Sequence, residues 1–549
     1  MTPGVRFSDR LPSLLRRTAF PLLLGLVLAL ALFFRCHDVS TFPPGVWYDE
    51  AVNALDGMDA AFHHGYRVFF PDNYGREGLF IDAIGLSFKT FGLGMWQMKL
   101  PSIVLGALGV LLAALLCRRL YGGEDADGYA ADRDFGRDAV ALLAAFFVAV
   151  SFWDVNFSRI AFRAIGMPVF LAACLCCIWD GGDAKGGKRR APGPWLLALG
   201  GLFCGLGLHT YTAFKAFALV LPVPVLVDLR RLRREAAERG KNGAAAWLRP
   251  LLTRWGAFAL GTAAGALPLV VFAMLHPDEY FERMGQLSVF SLPHPWLALA
   301  ENLAKSVGMF VVQGDANWRH NIGGAPLLAW PVRPFFLLGL ALCAYGAFAK
   351  KVDERRRERS VLLLAWWGVM LLPAALSNEG VPHALRSLGS LLPTYIMAAE
   401  GAVFAFARLS AASARGREAA AAAALLLLLG LPVLQFHRYF TVWGQDPRTH
   451  AAFQAELEPI AQAIEAQPNG ELKVLLTAGV PQAKPVEVLT LTTPNLEVAA
   501  TPADIRLPRH GRFAIFALGD GIKALSGMRT SLHGSLLRGG SFACLLGSR

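Results

Sequence analysis

The stretch TAFPLLLGLVLALALFF (residues 18–34), followed by RCHDVSTFPPGVWYDE (35–50), decides the class of this chain. Residues 18–34 carry no charge, and the run approaches the ~20 residues a helix needs to cross a bilayer. No small-residue cleavage site follows, since Phe33-Phe34-Arg35-Cys36-His37 lacks the A-x-A pattern, so the run is expected to stay as a span. Comparable runs recur near 99–117, 139–153, 161–179, 195–209, 212–229, 255–275, 334–349, 360–376, 387–407 and 419–436. Together they predict a polytopic α-helical membrane protein of about 11 spans.

Composition agrees. Of 549 residues, 54% are apolar and 17% charged, against about 25% charged in soluble domains. Such a chain is neither disordered nor a small disulfide scaffold. The net charge of +12 is topogenic rather than a nucleic-acid footprint, because no basic cluster interleaved with aromatics sits on a soluble segment. The N-terminus and the loops at 118–138, 180–194, 230–254, 350–359 and 408–417 hold 29 Lys and Arg, and the longer opposite loops hold 13. The excess of cations places the N-terminus in the cytoplasm and the long loops outside. Of the eight Cys, six fall within apolar runs and none has zinc-type spacing.

Two domains are expected: a transmembrane unit over 1–437, whose first outer loop is 35–98, and an extracytoplasmic α/β unit over 438–549. In the tail, a helical pattern over Pro447–Ala466 precedes strand-like pieces at Leu472–Thr477, Leu496–Ala500, Phe513–Leu518 and Ser541–Leu545. Residues 79–93 and 294–312 read as helices lying on the outer membrane surface.

Ionisable residues collect at the outer ends of the spans, which favours a surface site over a conduction path. Trp47-Tyr48-Asp49-Glu50 opens the first outer loop. Asp49 reads as the cap of a helix starting at Glu50, and also as a carboxylate able to take a proton. Tyr74, Arg76 and Glu77 follow in the same loop. Further outward cations are Arg159, Arg163, Lys215 and Arg386. They suit either headgroup snorkelling or phosphate binding. The segment Gln313–Asn321, with Asn317, Arg319 and His320, offers aromatic and hydrogen-bonding partners for a sugar. Carboxylates, cations and aromatics on one membrane face are what a lipid-linked, phosphorylated sugar and its acceptor require.

The ordered set Trp47-Tyr48-Asp49-Glu50-Ala51, Gly75-Arg76-Glu77-Gly78-Leu79, Leu100-Pro101-Ser102, Arg118-Arg119-Leu120-Tyr121-Gly122 and Ser158-Arg159 resembles the GT-C-fold glycosyltransferases that use polyprenyl-phosphate sugars. The similarity is to the protein O-mannosyltransferase and lipid A aminoarabinose transferase group, over roughly the first 230 residues. It implies inverting transfer of one sugar to an extracytoplasmic protein, lipid or glycan at the inner membrane. Asp49, Glu50 and Glu77 would then be catalytic, and Arg76, Arg159, Arg163, Lys215 and Arg386 would bind the donor phosphate. Trp47, Tyr48, Tyr74, Asn317, Arg319 and His320 would bind sugar or acceptor. Gly78-Leu79 stands where many relatives have Lys-Pro-Pro, and Arg163 stands near where several have an acid. No cofactor or obligatory metal is therefore expected. The rivals are a glycan ligase with a diphosphate-linked donor, a transporter or flippase, and a non-catalytic scaffold. A diphosphate would call for more outer cations, and a transporter for repeated halves with broken helices. Neither is found in the sequence.

Overall fold

The computed structural model of the chain describes residues 13–122, 133–179, 192–240, 243–281, 288–477, 483–518, 521–532, 535–538 and 542–548. The N-terminal part runs α1 (Ser13–Cys36), α2 (Tyr48–Asp59), α3 (Gly78–Phe91), α4 (Met95–Leu120), α5 (Arg133–Val150) and α6 (Phe152–Arg159). Among the described residues, seven helices are long and apolar enough to cross a membrane: Thr18–Cys36, Met95–Leu120, Thr212–Glu238, Ala245–Leu275, Glu354–Ala375, Leu388–Ala412 and Ala414–Trp443. An eighth forms if Gly136–Val150 and α6, bent by 55°, are counted as one. The bend falls at Ser151, whose hydroxyl accepts the Asp154 N–H at 3.0 Å and so starts a new helix.

The eleven apolar runs all lie on helices, but three of them lie on shorter ones: Arg163–Ile178, Pro194–Gly207 and Arg333–Phe348. At 1.5 Å per residue these reach about 21–24 Å, less than the ~30 Å of hydrocarbon. Eleven full spans is thus more than length and composition support.

Helix contacts are made through small residues. Gly201 and Gly205 face Gly261 and Gly265, and a Cβ at any of the four would strike the partner helix's backbone. This is the small-xxx-small pattern that lets membrane helices approach closely. Charges also lie among the spans, contrary to the expectation that they keep to the outer ends. Arg35 of α1 pairs with Asp154 of α6. Arg359 pairs with Glu400 at 3.0 Å, and the Tyr121 hydroxyl donates to the same carboxylate at 2.8 Å. Each pair is buried and ties two helices together.

The first loop folds on itself. A short hairpin, β1 (Phe69–Phe70) with β2 (Arg76–Glu77), leads into α3. Helix α3 packs on α2 where Gly57 meets Gly85. The 294–312 segment is likewise helical over Pro295–Gly308.

The last span continues through a π-helical turn to Trp443, a few residues past 437. The tail then builds a five-stranded sheet of β3 (Leu472–Leu476), β4 (Leu496–Ala499), β5 (Arg512–Leu518), β6 (Ser535–Arg538) and β7 (Phe542–Ser548), in the order β4-β3-β5-β7-β6. The first three are parallel, and β7 and β6 antiparallel. Leu475, Ala514 and Phe516 pack on one face with Ile460 and Val486, and Val474, Leu476 and Ile515 pack on the other with Leu525. Both faces being covered explains the nearly continuous apolar strands. The four expected strands are present to within a few residues. Strand β6 and the helices Ala483–Leu489 and Gly521–Leu532 were not expected.

Candidate active site

Helix α2 positions the two acids. It begins at Tyr48 with Trp47 as its cap, so Asp49 and Glu50 lie in the first turn. This corrects the expectation that Asp49 is the cap. Glu50 sits at the third helical position and its Oε2 accepts the Trp47 N–H at 3.4 Å. Its Oε1 accepts the Ala161 N–H at 2.8 Å, and the side chain is 1% exposed. Burial pushes the Glu50 carboxyl up, against Lys99 and the two backbone N–H groups, with Asp49 adding to the rise. Glu50 is therefore spent on holding α2 to the 160–162 turn.

Asp49 is only half-buried. Its Oδ1 accepts from Asn73 Nδ2 at 2.9 Å. Its charge also acts on Arg76 and Arg319. Of the three first-loop acids expected to be catalytic, it alone is left open.

Arg76 is buried and reaches the Asp72 carbonyl (3.1 Å), Asn53 Oδ1 (2.9 Å) and the Asp56 carboxylate. Burial draws its pKa below the ordinary value, against the pull of Asp56. Glu77 caps α3 and accepts from Arg163 Nε at 2.8 Å, with both side chains buried. Arg163 also lies over the Tyr211 ring, 5.4 Å from its centroid. Arg159 is fully buried and donates to the Phe34 (2.9 Å) and Phe42 (3.2 Å) carbonyls among the Phe42, Tyr439 and Phe440 rings. It presents no exposed face. Lys215 lies 4.8 Å over the Tyr280 ring. Arg386 is engaged with Ser377 and Glu379. Tyr74 is exposed and sits in the left-handed region at φ 64°. Of the eight expected phosphate and acid positions, Glu50 and Arg159 are buried against backbone groups, and the other six form two groups. Asp49, Arg76, Glu77 and Arg163 gather around the first loop, while Lys215 and Arg386 stand on other elements.

An open cavity of about 620 Å³ is lined by Trp47, Tyr48, Asn317, Trp318, Arg319 and Arg448 among others, and Asp49 follows two of these in sequence and acts by its charge on a third, Arg319. Arg319 lies 4.3 Å over the Trp47 ring and Arg448 lies 4.1 Å over the Trp318 ring. Trp47 in turn stacks on Phe162 at 5.4 Å. The 317–320 loop is fixed from outside: Asn156 Nδ2 donates to the Arg319 carbonyl at 2.7 Å, and Trp443 Nε1 to the Trp318 carbonyl at 2.8 Å. Asn317 Oδ1 accepts from Arg319 N (3.0 Å) and Nε (3.3 Å), which orients the guanidinium. The tail closes one side through Arg448, Ala451, Ala452 and Gln454. Its Glu458 Oε1 accepts the Gly45 N–H at 2.6 Å.

His320 is not in the cavity wall. It is buried beneath it, hydrogen-bonded to Asp315 and 5.0 Å from the His383 ring. Asp315, His320 and His383 form the group of possible metal ligands found among the described residues. The sequence reading missed Asn73, Trp318, Arg448, Asp315 and His383 as site residues. The segment containing Asp315 and Trp318 was singled out. His383, however, is 63 positions beyond His320, and no spacing rule joins them.

No family model matches the chain. Its fold does match solved structures. ArnT from Cupriavidus metallidurans bound to undecaprenyl phosphate aligns over 97% of this chain and 98% of that one, with a TM-score of 0.53 and 11% identity. The apo form of the same protein aligns over the same shares at 0.50. The chain has the ArnT fold. By sequence it is 28% identical over 317 residues to the undecaprenyl phosphate-alpha-4-amino-4-deoxy-L-arabinose arabinosyl transferase of Pseudomonas aeruginosa (strain LESB58). That alignment takes in 57% of this chain and 45% of the relative's length. The GT-C architecture expected from the first-loop motifs and the polytopic membrane assignment are both supported by these matches.

Proposed function

We propose that this protein is a membrane glycosyltransferase that moves one sugar from a polyprenyl-phosphate donor to an extracytoplasmic acceptor, with inversion. The observation that carries the proposal is Asp49: a half-buried carboxylate, oriented by Asn73 and acting by its charge on Arg319, a residue of the cavity wall that also bears Arg448, Trp47 and Trp318. The ArnT-like fold and the arabinosyl transferase similarity support the lipid-linked donor.

In the reaction, the acceptor oxygen or nitrogen attacks the anomeric carbon from the face opposite the phosphate. The bond from that carbon to the phosphate oxygen breaks, and the polyprenyl phosphate leaves with the electron pair. Asp49 takes the acceptor proton. Arg319 answers the charge on the departing phosphate, with Arg448, itself paired with Asp446, at the same cavity wall. Trp318 supplies a flat face for the sugar, while Trp47, stacked on Phe162 and covered by Arg319, backs the guanidinium. Glu50, Glu77, Arg76 and Arg163 act as positioning residues that hold α2 and α3 in place. The cation bias of the loops supports an N-terminus in the cytoplasm and a site outside.

The test is transfer of label from radiolabelled polyprenyl-phosphate sugars (aminoarabinose, mannose, glucose) to a membrane extract. Purified wild type and Asp49→Asn would be compared in detergent. Transfer by the wild type and loss in the variant is expected. Wild-type turnover in Asp49→Asn would refute the assignment of the base. Transfer from diphosphate donors alone would favour the glycan ligase.

A further inference from the structure

Beneath the cavity, two segments far apart in sequence meet at three side chains. Asp315 Oδ2 lies 3.0 Å from His320 Nδ1 and 3.8 Å from His383 Nδ1. One ligand atom from each residue lies within 4.8 Å of the others. We propose that Asp315, His320 and His383 bind one divalent transition-metal ion of the zinc class, which pins the 313–325 loop to the 381–386 segment.

The donor set is the first argument. Two imidazoles and one carboxylate suit zinc, whereas magnesium and calcium take oxygen ligands. Geometry is the second. Zinc holds nitrogen and carboxylate oxygen at about 2.0–2.2 Å in a tetrahedron, which spaces donor atoms about 3.3 Å apart. The observed separations of 3.0 and 3.8 Å bracket that value. Small side-chain rotations close the remainder.

The third argument is the surroundings. Asp315 Oδ1 accepts the Asn317 N–H and Oδ2 the Ala384 N–H, each at 2.8 Å, so the carboxylate is aimed by backbone from both segments. His383 Nδ1 and His320 Nε2 are buried without a hydrogen-bond partner, a state costly for a buried polar atom. An ion held at Nδ1 gives His383 its missing partner. Of the nearby cations, Arg319 is drawn to both Asp49 and Asp315, and Arg386 is paired with Glu379. When the ion binds, neutral His320 takes the tautomer with its one ring proton on Nε2, which frees Nδ1 as the ligand in place of its hydrogen bond to Asp315. A water or a group from the cavity completes the fourth position.

The proposal does not rest on sugar transfer, and its readout is metal content. The full chain, purified in detergent and stripped with chelator, would be reloaded with Zn²⁺ and measured by mass spectrometry. Co²⁺ loading would report tetrahedral ligation through its visible bands. One ion per chain is expected, with a raised melting temperature on addition of Zn²⁺. Asp315→Asn and His383→Gln, each removing a direct ligand, should weaken binding by more than the roughly 10–100-fold that loss of an outer-shell partner costs and lose the melting shift. If a variant is not recovered folded, the cobalt spectrum and stoichiometry of the wild type decide. No stoichiometric ion in the wild type, or equal loading in the folded variants, would overturn the site and leave an Asp–His hydrogen-bonded cluster.

Discussion

The Glu77–Arg163 pair makes a sharp prediction about an acid that sequence patterns mark as catalytic. Its N···O distance is 2.8 Å and its partners are 7% and 6% exposed. Glu77→Gln keeps the side-chain shape but leaves the Arg163 guanidinium buried without a counter-charge. Breaking a buried pair from one side costs about 3–5 kcal/mol. Arg163→Met should cost a similar amount by stranding the carboxylate. The double variant Glu77→Gln/Arg163→Met removes both charges and should recover most of the loss, because a buried pair contributes little net against a neutral replacement. Thermal unfolding of the four proteins in one detergent gives the cycle, and a coupling of about 2 kcal/mol or more is expected. Activity should follow the same pattern, with the double variant more active than Glu77→Gln. A Glu77→Gln protein as stable as wild type yet inactive, with no rescue in the double variant, would refute the positioning role and return Glu77 to the chemistry.

Other outcomes follow from single contacts. Asp82, on α3, has its carboxyl pushed up to about 6 by burial, against the Arg67 N–H and charge. The unfolded group titrates near 3.8, so the native state holds the proton more tightly between these values. Stability therefore falls as pH rises from about 4 to 6. Asp82→Asn should be about 1 kcal/mol more stable than wild type at pH 7.5, a value discounted for partial exposure, and equal to it near pH 4 by melting temperature. Gly45 has φ +76°, and an added Cβ would lie 2.8 Å from the Ala455 nitrogen and collide with the Phe453 carbonyl. Gly45→Ala should cost at least about 1–2 kcal/mol for the left-handed backbone and loosen the tail, read as faster proteolysis after Trp443. Arg319→Ala should raise the donor KM and leave the melting temperature nearly unchanged, since its guanidinium touches Asn317 and Trp47 at a cavity wall. An unaltered KM would remove Arg319 from donor binding.

The architecture was legible in the sequence because membrane spans and parallel strands both write themselves as apolar runs. The first-loop motifs located α2 and α3, while the β1–β2 hairpin between them was not expected. Long-range partners were not legible. The Gly201–Gly261 contact, the Arg359–Glu400 pair and the Asp315–His383 approach each join distant positions, and one sequence carries no signal for such joins. Short strands such as β6 lack the alternation that marks a half-buried strand. Outward cations also could not be sorted. Arg159 and Arg319 look alike in the chain, yet one fills a buried aromatic cage and the other faces a cavity.

The division between the two neighbouring acids follows from helix geometry. Successive residues on a helix point about 100° apart. Once Trp47 caps α2, position 50 turns inward to the Trp47 and Ala161 N–H groups, and position 49 turns toward Asn73. Had the helix started at Glu50, as the sequence suggested, Asp49 would have spent its carboxylate on capping. The earlier start transfers the capping duty to Glu50 and leaves Asp49 with one oriented hydrogen bond and an open side. A rigid start of α2 is therefore part of the chemistry proposed for Asp49. Glu50, which accepts no proton in that mechanism, sets where the base stands.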